Sequence, residues 1–257
     1  MRARAPFTWL ARLAPNGPFD VVRQFLLFGT VYYLYRLTRG AIDTPDGTVI
    51  AFQNARSLID IEQSLGLFIE SPIQVWTSGS HTAVEIACWI YMNAQTTIVF
   101  GALVYLYLAH NERYYFVRNM LMVAMGIALV GYLVFPTAPP RFFPEWGFND
   151  TLAQYTGIQA GSGKVSAMFN PYAAVPSMHC ANAIMIGLVL AQLTKRRIVR
   201  FAWAAYPAVM FWVVVATGNH WVLDVVLGAM TAGVSYYGAA LLARARPGAW
   251  AFSPAEV

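Results

Sequence analysis

The sequence predicts an all-α polytopic membrane protein, a six-transmembrane-helix bundle with interfacial helices in its outer loops. Of its 257 residues, 58% are hydrophobic and 11% are charged, whereas a soluble domain carries about 25% charged residues. The apolar residues form six runs, each close to the length of about 20 residues that a spanning helix needs. Basic residues stand in short clusters between these runs, which indicates membrane orientation rather than nucleic-acid binding.

The predicted spans are separated by two long loops and three short connections. The spans lie near residues 21–39, 84–109, 115–135, 177–194, 199–217 and 220–242. The first is the weakest, because Arg23, Gln24 and Arg36 crowd its ends. No clear cleavage site follows this run, so we expect an uncleaved signal anchor. The length of the chain is compatible with a single integral membrane domain over residues 1–257.

The distribution of basic residues predicts that both termini are cytoplasmic. With the N-terminus inside, twelve of the 17 basic residues fall in cytoplasmic segments, which carry such an excess in membrane proteins. The five in outer segments are Arg36, Arg39, Arg56, Arg141 and Lys164. The Arg-heavy and Ala-rich composition is compatible with a multi-pass protein of a bacterial cytoplasmic membrane.

Two outer loops are long enough to have structure of their own. In the loop 40–83, residues 49–70 mix apolar side chains with charges, which predicts an amphipathic helix in the membrane interface. The loop 136–176 begins with four prolines in nine residues, which forbid a continuing helix. Its aromatic residues suit the lipid headgroup level and predict an ordered cover over the site. These are Phe142, Phe143, Trp146 and Phe148.

Three ionisable residues stand at the heads of apolar runs, where they indicate a reaction centre on the outer side. His179 begins one run, and His220 and Asp224 begin another. Such groups cost roughly 2.5–3.5 kcal/mol each in hydrocarbon and therefore usually mark function. Residues four apart share a helix face, so Asp224 can hold one ring nitrogen of His220 and leave the other free to attack. His179 would then protonate the departing oxygen.

The surroundings of these residues favour a phosphate group as the target. Both histidines are predicted at helix N-termini, where backbone N–H groups and the helix dipole favour an anion. Ser177 and Asn219 stand at these helix starts. Arg141 in the proline-rich loop can supply a forked and permanently charged partner. The pattern predicts phosphoryl transfer through a histidine, on a lipid phosphate that arrives through the bilayer.

Three blocks of sequence resemble the type 2 phosphatidic acid phosphatase superfamily, whose members use Pro-Ser-x-His and His-x-x-x-Asp. The blocks are PTAPPR at 136–141, PSMH at 176–179 and TGNHWVLD at 217–224. Together they resemble the branch that contains inositol phosphorylceramide synthases and their bacterial relatives, with a family-like core of about 50–235.

The resemblance implies a role for each residue of the predicted centre. His220 would be the nucleophile that forms a phosphohistidine, Asp224 its orienting carboxylate and His179 the general acid. Arg141 would bind the phosphate. The resemblance also implies that the reaction uses no metal and no other cofactor.

The blocks depart from the commonest phosphatase pattern at several positions. Met178 stands where that pattern has Gly, Val213 and Val214 replace Ser-Arg, and Val134 and Phe142 replace a Lys and a Pro. The phosphate site therefore has fewer cations than the typical phosphatase. We expect Arg141 to act almost alone, with Lys164 or the helix ends compensating.

The sequence leaves the acceptor of the phosphoryl group open. Water would make the protein a phosphatase and is the default, since it needs no second site. A lipid or glycan alcohol would make it an inositol-phosphate-type head-group transferase, which the motif subtype favours. Two other classes are a hydrolase with Zn²⁺ on both histidines and Asp224, and a lipid transporter, although no paired half-length helices support the latter.

Overall fold

A computed structural model describes residues 13–41, 45–157 and 170–250, and within these ranges the chain is helical and has no β-strand. The all-α prediction is therefore confirmed. The helices are α1 (Pro18–Ala41), α2 (Pro45–Ser64), α3 (Glu70–Ser78), α4 (His81–Ala109), α5 (Asn111–Val134), α6 (Thr151–Thr156), α7 (Met178–Leu193), α8 (Arg197–Ala216), α9 (Val222–Ala245) and α10 (Pro247–Trp250).

Four of the described helices are long and apolar enough to cross a membrane, namely α4, α5, α8 and α9. They mark the chain as a membrane protein and correspond to four of the six predicted spans. The helix α7 is apolar but has only 16 residues, a length of about 24 Å at 1.5 Å per residue. The first predicted span is also a helix, α1, but it is not among the four.

The core of the bundle lies where α5, α7 and α9 pack along one another, with α1 and α4 on the outside of α5. Small residues such as Ala124, Ala128 and Ala181 are fully buried there. They allow the helix backbones to approach closely, as is typical of membrane bundles.

Two glycines determine where α7 begins. A methyl group at Gly228 of α9 would lie 2.5 Å from the carbonyl oxygen of Ser177, and one at Gly131 of α5 would lie 2.7 Å from Cδ of Pro176. Neither position has room for a side chain. The segment 176–177, which leads into α7 and His179, therefore lies directly against the backbones of α5 and α9.

The loop 40–83, predicted to be on the outer side, contains two helices instead of one. The predicted helix over 49–70 is present as α2, but it ends at Ser64, and α3 begins at Glu70. Between them Gly66 has a φ of +67°, a left-handed conformation that ends helices and suits glycine. The amphipathic interpretation was wrong for two of the charges, because Glu62 and Glu70 are fully buried.

Three carboxylates cap the start of α9. The backbone N–H of Val222 donates to Glu70 Oε1 at 2.7 Å, and that of Leu223 donates to Glu62 Oε1 at 2.7 Å. The N–H of Trp221 donates to Asp224 Oδ2 at 2.9 Å. The first N–H groups of a helix have no partner within the helix, and negative charge is favourable there. The capping attaches α2 and α3 to α9.

Glu62 and Glu70 also interact with each other. Burial raises the pKa of both carboxyl groups, and the charge of Glu70 raises the pKa of Glu62 further. The Oε2 atoms of both residues have no hydrogen-bond partner among the described residues. The raised pKa values favour a protonated carboxyl group in this pair, which lowers its negative charge.

The proline-rich loop has regular structure over residues 140–156. Pro140–Phe142 and Pro144–Trp146 form 3₁₀ turns, and α6 follows, which confirms that the prolines stop the preceding helix. Two of the aromatic residues expected at headgroup level are instead buried. Phe143 and Phe148 pack edge-to-face on Trp221, with ring centroids 5.7 and 5.6 Å away.

We predict that Gly228→Ala and Gly233→Ala, two identical changes in α9, have opposite effects on stability. The first forces the backbone of Ser177 to move and should cost about 1–3 kcal/mol. The second adds a methyl group where nothing lies within 4 Å, so helix propensity should stabilise it by up to about 1 kcal/mol. Thermal unfolding in detergent measures both, and equal melting temperatures would contradict the packing described here.

We predict that Glu62→Gln is tolerated and Glu62→Ala is not. The amide keeps an acceptor for Leu223 and a donor for Glu70, whereas alanine leaves both without partners, at a cost of about 1–3 kcal/mol. The raised pKa of Glu62 adds stability that is fully present below the ordinary glutamate pKa of about 4.3 and is lost as the pH rises through the folded-state value.

The pH dependence of stability distinguishes this pair from an ordinary surface contact. Wild-type stability should fall as the pH rises above about 4.3, and Glu62→Gln should make that fall smaller. The control is Glu85→Gln at a half-exposed glutamate of α4. If both variants kept the wild-type pH profile, Glu62 would not hold a proton in the folded protein.

Candidate active site

His179 lies in the first turn of α7, as predicted. Ser177 is the N-cap of this helix, and its hydroxyl accepts from the backbone N–H of Cys180 at 3.5 Å. The N–H of Ser177 donates to the carbonyl oxygen of Asp224 at 3.0 Å. Ser177 is thus a helix-start residue that joins α7 to α9, and it does not line the cavity described below.

His220 lies in the connection between α8 and α9, and not inside a helix as predicted. The chain turns at Gly218, whose φ is +66°, and α9 begins only at Val222. The later start follows from the capping of α9, since Trp221 is its N-cap and Asp224 accepts from the Trp221 N–H.

The expected contact between His220 and Asp224 is nevertheless present. Nδ1 of His220 lies 3.3 Å from Oδ2 of Asp224, and the Asp224 side chain is fully buried. A carboxylate at this nitrogen selects the tautomer with the proton on Nδ1 and leaves the second nitrogen as an acceptor. This arrangement of a nucleophile and an orienting group is typical of covalent catalysis.

The two histidines face each other. Their ring centroids are 5.9 Å apart with an interplanar angle of 61°. On its other side His179 stacks on Tyr91 of α4, with centroids 4.3 Å apart and planes at 23°. The stacking fixes the orientation of the His179 ring, and nothing in the apolar run that contains Tyr91 distinguished this residue beforehand.

Arg141 is nearly buried in its 3₁₀ turn, and several groups hold it there. Its backbone N–H donates to the carbonyl of Gly218 at 2.9 Å, and its Nη1 donates to Oδ1 of Asn219. Nε lies 3.9 Å from Oδ2 of Asp150, and Cζ lies 4.9 Å from the centroid of the Phe142 ring. The prediction that Asn219 starts a helix was wrong; its amide positions Arg141.

His179, His220, Arg141 and Asn219 line one polar cavity with a volume of about 30 Å³. Other residues of its wall were not identified from the sequence, namely Arg39, Tyr91, Gln95, Tyr132 and Asn170. Lys164 lies outside the described residues. Because the cavity is far smaller than the roughly 300–1,000 Å³ of pockets that enclose whole small-molecule ligands, it fits the reacting group of a larger molecule.

The electrostatics of the cavity keep His220 neutral. Burial lowers its pKa to about 3, the positive charges of Arg39 and Arg141 act in the same direction, and a hydrogen bond with the backbone of Ala174 opposes them. At physiological pH the ring therefore has a free electron pair, as a nucleophile requires.

The start of α9 does not offer free backbone donors to a phosphate, which corrects the expectation that both helix ends bind the anion. The N–H groups of Trp221, Val222 and Leu223 all donate to carboxylates. Side chains at the cavity, above all the guanidinium groups, must supply most of the donors. Among the described residues, no group of three or more His, Cys, Asp and Glu side chains is arranged to hold a metal ion.

Comparison with known proteins identifies the family. The sequence model of the PAP2 superfamily matches residues 56–238, a range that contains Arg141 and both histidines. One similar protein is a phosphoinositol dihydroceramide synthase of Bacteroides thetaiotaomicron, 29% identical over 162 residues. That match covers 55% of this chain and 48% of the relative, so the chain matches about half of the relative's length.

No solved structure matches the chain. The family match covers well over half of the sequence and includes all three blocks. Helices of membrane-spanning length and the similarity to a lipid head-group enzyme agree with it. The chain belongs to the PAP2 superfamily, in a branch that resembles inositol phosphorylceramide synthase, and so to a family of membrane lipid phosphatases and phosphotransferases.

Proposed function

We propose that the protein is a membrane enzyme that breaks a lipid phosphate ester through a phosphohistidine on His220. The observation that carries this proposal is the pair of histidines facing each other across a cavity lined by Arg141. Asp224 stands behind one of them, at 3.3 Å from Nδ1 of His220. The family of the chain supports phosphoryl transfer as the reaction class.

In the first step the free nitrogen of His220 attacks phosphorus, and the bond from phosphorus to the ester oxygen breaks. Asp224 accepts the Nδ1–H hydrogen bond and stabilises the positive charge that develops on the ring. His179 gives a proton to the departing oxygen, help worth about 10²–10⁴-fold in rate. The negative charge of the bound phosphate favours the protonated form of His179 that this step needs.

In the second step an acceptor hydroxyl attacks the phosphohistidine. His179, now neutral, takes the acceptor proton, the bond from phosphorus to nitrogen breaks and His220 returns to its starting state. Arg141 remains on the phosphoryl oxygens through both steps, because its charge is permanent. With water as acceptor a monoester substrate gives free phosphate and a diester gives a phosphate monoester. With an alcohol as acceptor a monoester gives a new monoester and a diester gives a new phosphodiester.

Transfer of a phosphoinositol-type head group to an alcohol is the second candidate. The similar Bacteroides protein is named as a phosphoinositol dihydroceramide synthase. Gln95 and Asn170 also line the cavity, and their amides can bind the hydroxyls of a polar head group. Zinc-dependent hydrolysis and lipid transport are two further alternatives. The chelator and lipid-flux measurements below distinguish them from the phosphatase and from the head-group transferase.

The finer arrangement in the membrane is also a proposal. We propose that α1 and α7 complete a six-helix bundle with α4, α5, α8 and α9, as a single domain over residues 1–257. The excess of basic residues then puts both termini in the cytoplasm. The cavity would open on the outer face, with α2 and α3 in the interface above it.

We predict that His220→Ala lowers turnover by about 10⁴–10⁶-fold, because it removes the nucleophile, and that Asp224→Asn lowers it by about 10⁴-fold. The assay offers phosphatidic acid, an isoprenoid phosphate and an inositol phospholipid with a ceramide-type acceptor. Free phosphate and transferred head group are detected separately. The control is His81→Ala, a histidine whose side chain is 88% exposed.

The same preparation tests the covalent intermediate. Enzyme quenched during turnover of phosphorus-labelled substrate should carry acid-labile, base-stable label on His220. Full activity in His220→Ala, or label on a hydroxyl residue, would overturn the mechanism. Loss of activity with a chelator and its return with Zn²⁺ would favour the metal alternative, and lipid flux that persists in His220→Ala would favour transport.

We predict that cysteines introduced at Ser80 and Lys195 report opposite sides of the membrane. Both positions are exposed, whereas the native Cys88 and Cys180 are buried. A membrane-impermeant maleimide should label Ser80→Cys in intact cells and Lys195→Cys only after the membrane is opened. The reverse pattern would place the cavity on the cytoplasmic side.

A further inference from the structure

A second guanidinium lines the cavity, and it belongs to none of the three sequence blocks. Arg39 stands in the last turn of α1 and shares the cavity wall with Arg141, His179 and His220. It lies outside residues 56–238, the range that the family model matches. From the sequence it was only one of five basic residues in outer segments.

Tyr132 of α5 holds Arg39 beside the start of α7. Cζ of Arg39 lies 5.5 Å from the centroid of the Tyr132 ring, a cation–π distance. The Tyr132 hydroxyl lies 3.4 Å from the Tyr35 hydroxyl and donates to the carbonyl of Pro176 at 3.4 Å. The ring is therefore fixed on α1 and on the segment that leads to His179.

The charge of Arg39 acts on the reacting groups. Together with Arg141 it lowers the pKa of His220, which indicates that both cations lie near this ring. Burial lowers the pKa of Arg141 and the charge of Arg39 acts in the same direction, which indicates that the two cations repel each other. Asp150 partly offsets Arg141 at 3.9 Å. An anion between the two guanidinium groups would relieve the repulsion.

Arg39 supplies a positive charge that the three sequence blocks lack relative to the commonest phosphatase pattern. The chain has Val134 where the commonest phosphatase pattern has a Lys, and Val213 and Val214 where it has Ser-Arg. Val213 and Val214 are fully buried in the core between α7 and α8. A cation that enters from α1 restores a two-cation site without changing that core.

We propose that Arg39 binds the phosphate group of the substrate together with Arg141, so that α1 completes the site. The proposal deepens the proposed function and rests on it for the statement that the phosphate belongs to a lipid ester. The ligand chemistry is a tetrahedral oxyanion with one or two negative charges. Paired forks of N–H donors on such an anion form strong charge-assisted hydrogen bonds.

The test measures binding as well as turnover, with the full-length protein in detergent. Inorganic phosphate and orthovanadate are titrated calorimetrically into wild type, Arg39→Gln, Arg39→Lys and Arg36→Gln. Arg39→Gln should raise both dissociation constants by at least about ten-fold. Arg39→Lys keeps the charge but loses the fork, so its loss should be smaller. Arg36, one turn earlier on α1, does not line the cavity, and its variant should stay within about two-fold.

Thermal unfolding and steady-state kinetics separate a binding role from a structural one. Unchanged melting temperatures with a raised KM for the lipid phosphate support the proposal. Dissociation constants equal to wild type in Arg39→Gln overturn it. Equal losses in Arg39→Gln and Arg39→Lys, accompanied by lower melting temperatures, also overturn it, because Arg39 would then only hold α1 in place.

Failure of this inference can be distinguished from failure of the proposed function. If wild type binds phosphate through Arg39 but releases no phosphate and transfers no head group with any lipid of the panel, the proposed function is wrong and the anion site is supported. If wild type turns over lipid phosphate and Arg39→Gln has the same KM and the same two dissociation constants, the proposed function is supported and the proposed role of Arg39 is wrong.

Discussion

The capping of α9 by three carboxylates is the interaction on which the site depends. Trp221, Val222 and Leu223 each donate their backbone N–H to a buried side-chain oxygen, of Asp224, Glu70 and Glu62 respectively. These donors have no partners within the helix, so the capping both satisfies them and attaches α2 and α3 to α9. The link from Ser177 N–H to the Asp224 carbonyl then joins α7 to the same point. The two histidines face each other because α7 and the connection that leads into α9 meet there.

This arrangement separates negative from positive charge around His220. Asp224 contacts Nδ1 of His220, and Glu70 and Glu62 accept from the next backbone donors at the start of α9, while Arg39 and Arg141 line the cavity. Negative charge behind the ring stabilises the imidazolium-like state that attack creates, and positive charge in front favours the phosphate. Because burial raises the pKa of Glu62 and Glu70, protonation of this pair lowers the cost of burying three carboxyl groups together.

Strongly periodic features of the chain were predictable, and features that depend on distant partners were not. The apolar runs predicted the long helices, and the spacing of His220 and Asp224 predicted the contact between their side chains. The start of α9 was placed two residues early, because its caps come from Glu62 and Glu70, about 150 residues away in the chain. Those glutamates look like interface charges when only their own mixed segment is considered. Phe143 and Phe148 were misplaced for a similar reason, since Trp221 covers them.

The helix α1 shows that a residue outside the three sequence blocks can line the cavity. The helix α1 carries charges at both ends and is not among the four helices that are long and apolar enough to cross a membrane, so it depends on specific contacts to stay in the bundle. At its beginning Asp20 accepts from the hydroxyls of Tyr107 and Tyr115 at 2.8 and 2.7 Å. In its middle Phe28 and Tyr35 are buried in the core. These contacts fix the register of α1 against α4 and α5. Arg39 lies about five turns after Asp20, at 3.6 residues per turn, and this register brings it to the cavity. An arginine within one of the apolar helices around the cavity would carry a high cost of burial in hydrocarbon. The less apolar helix α1 instead brings the charge of Arg39 to the cavity.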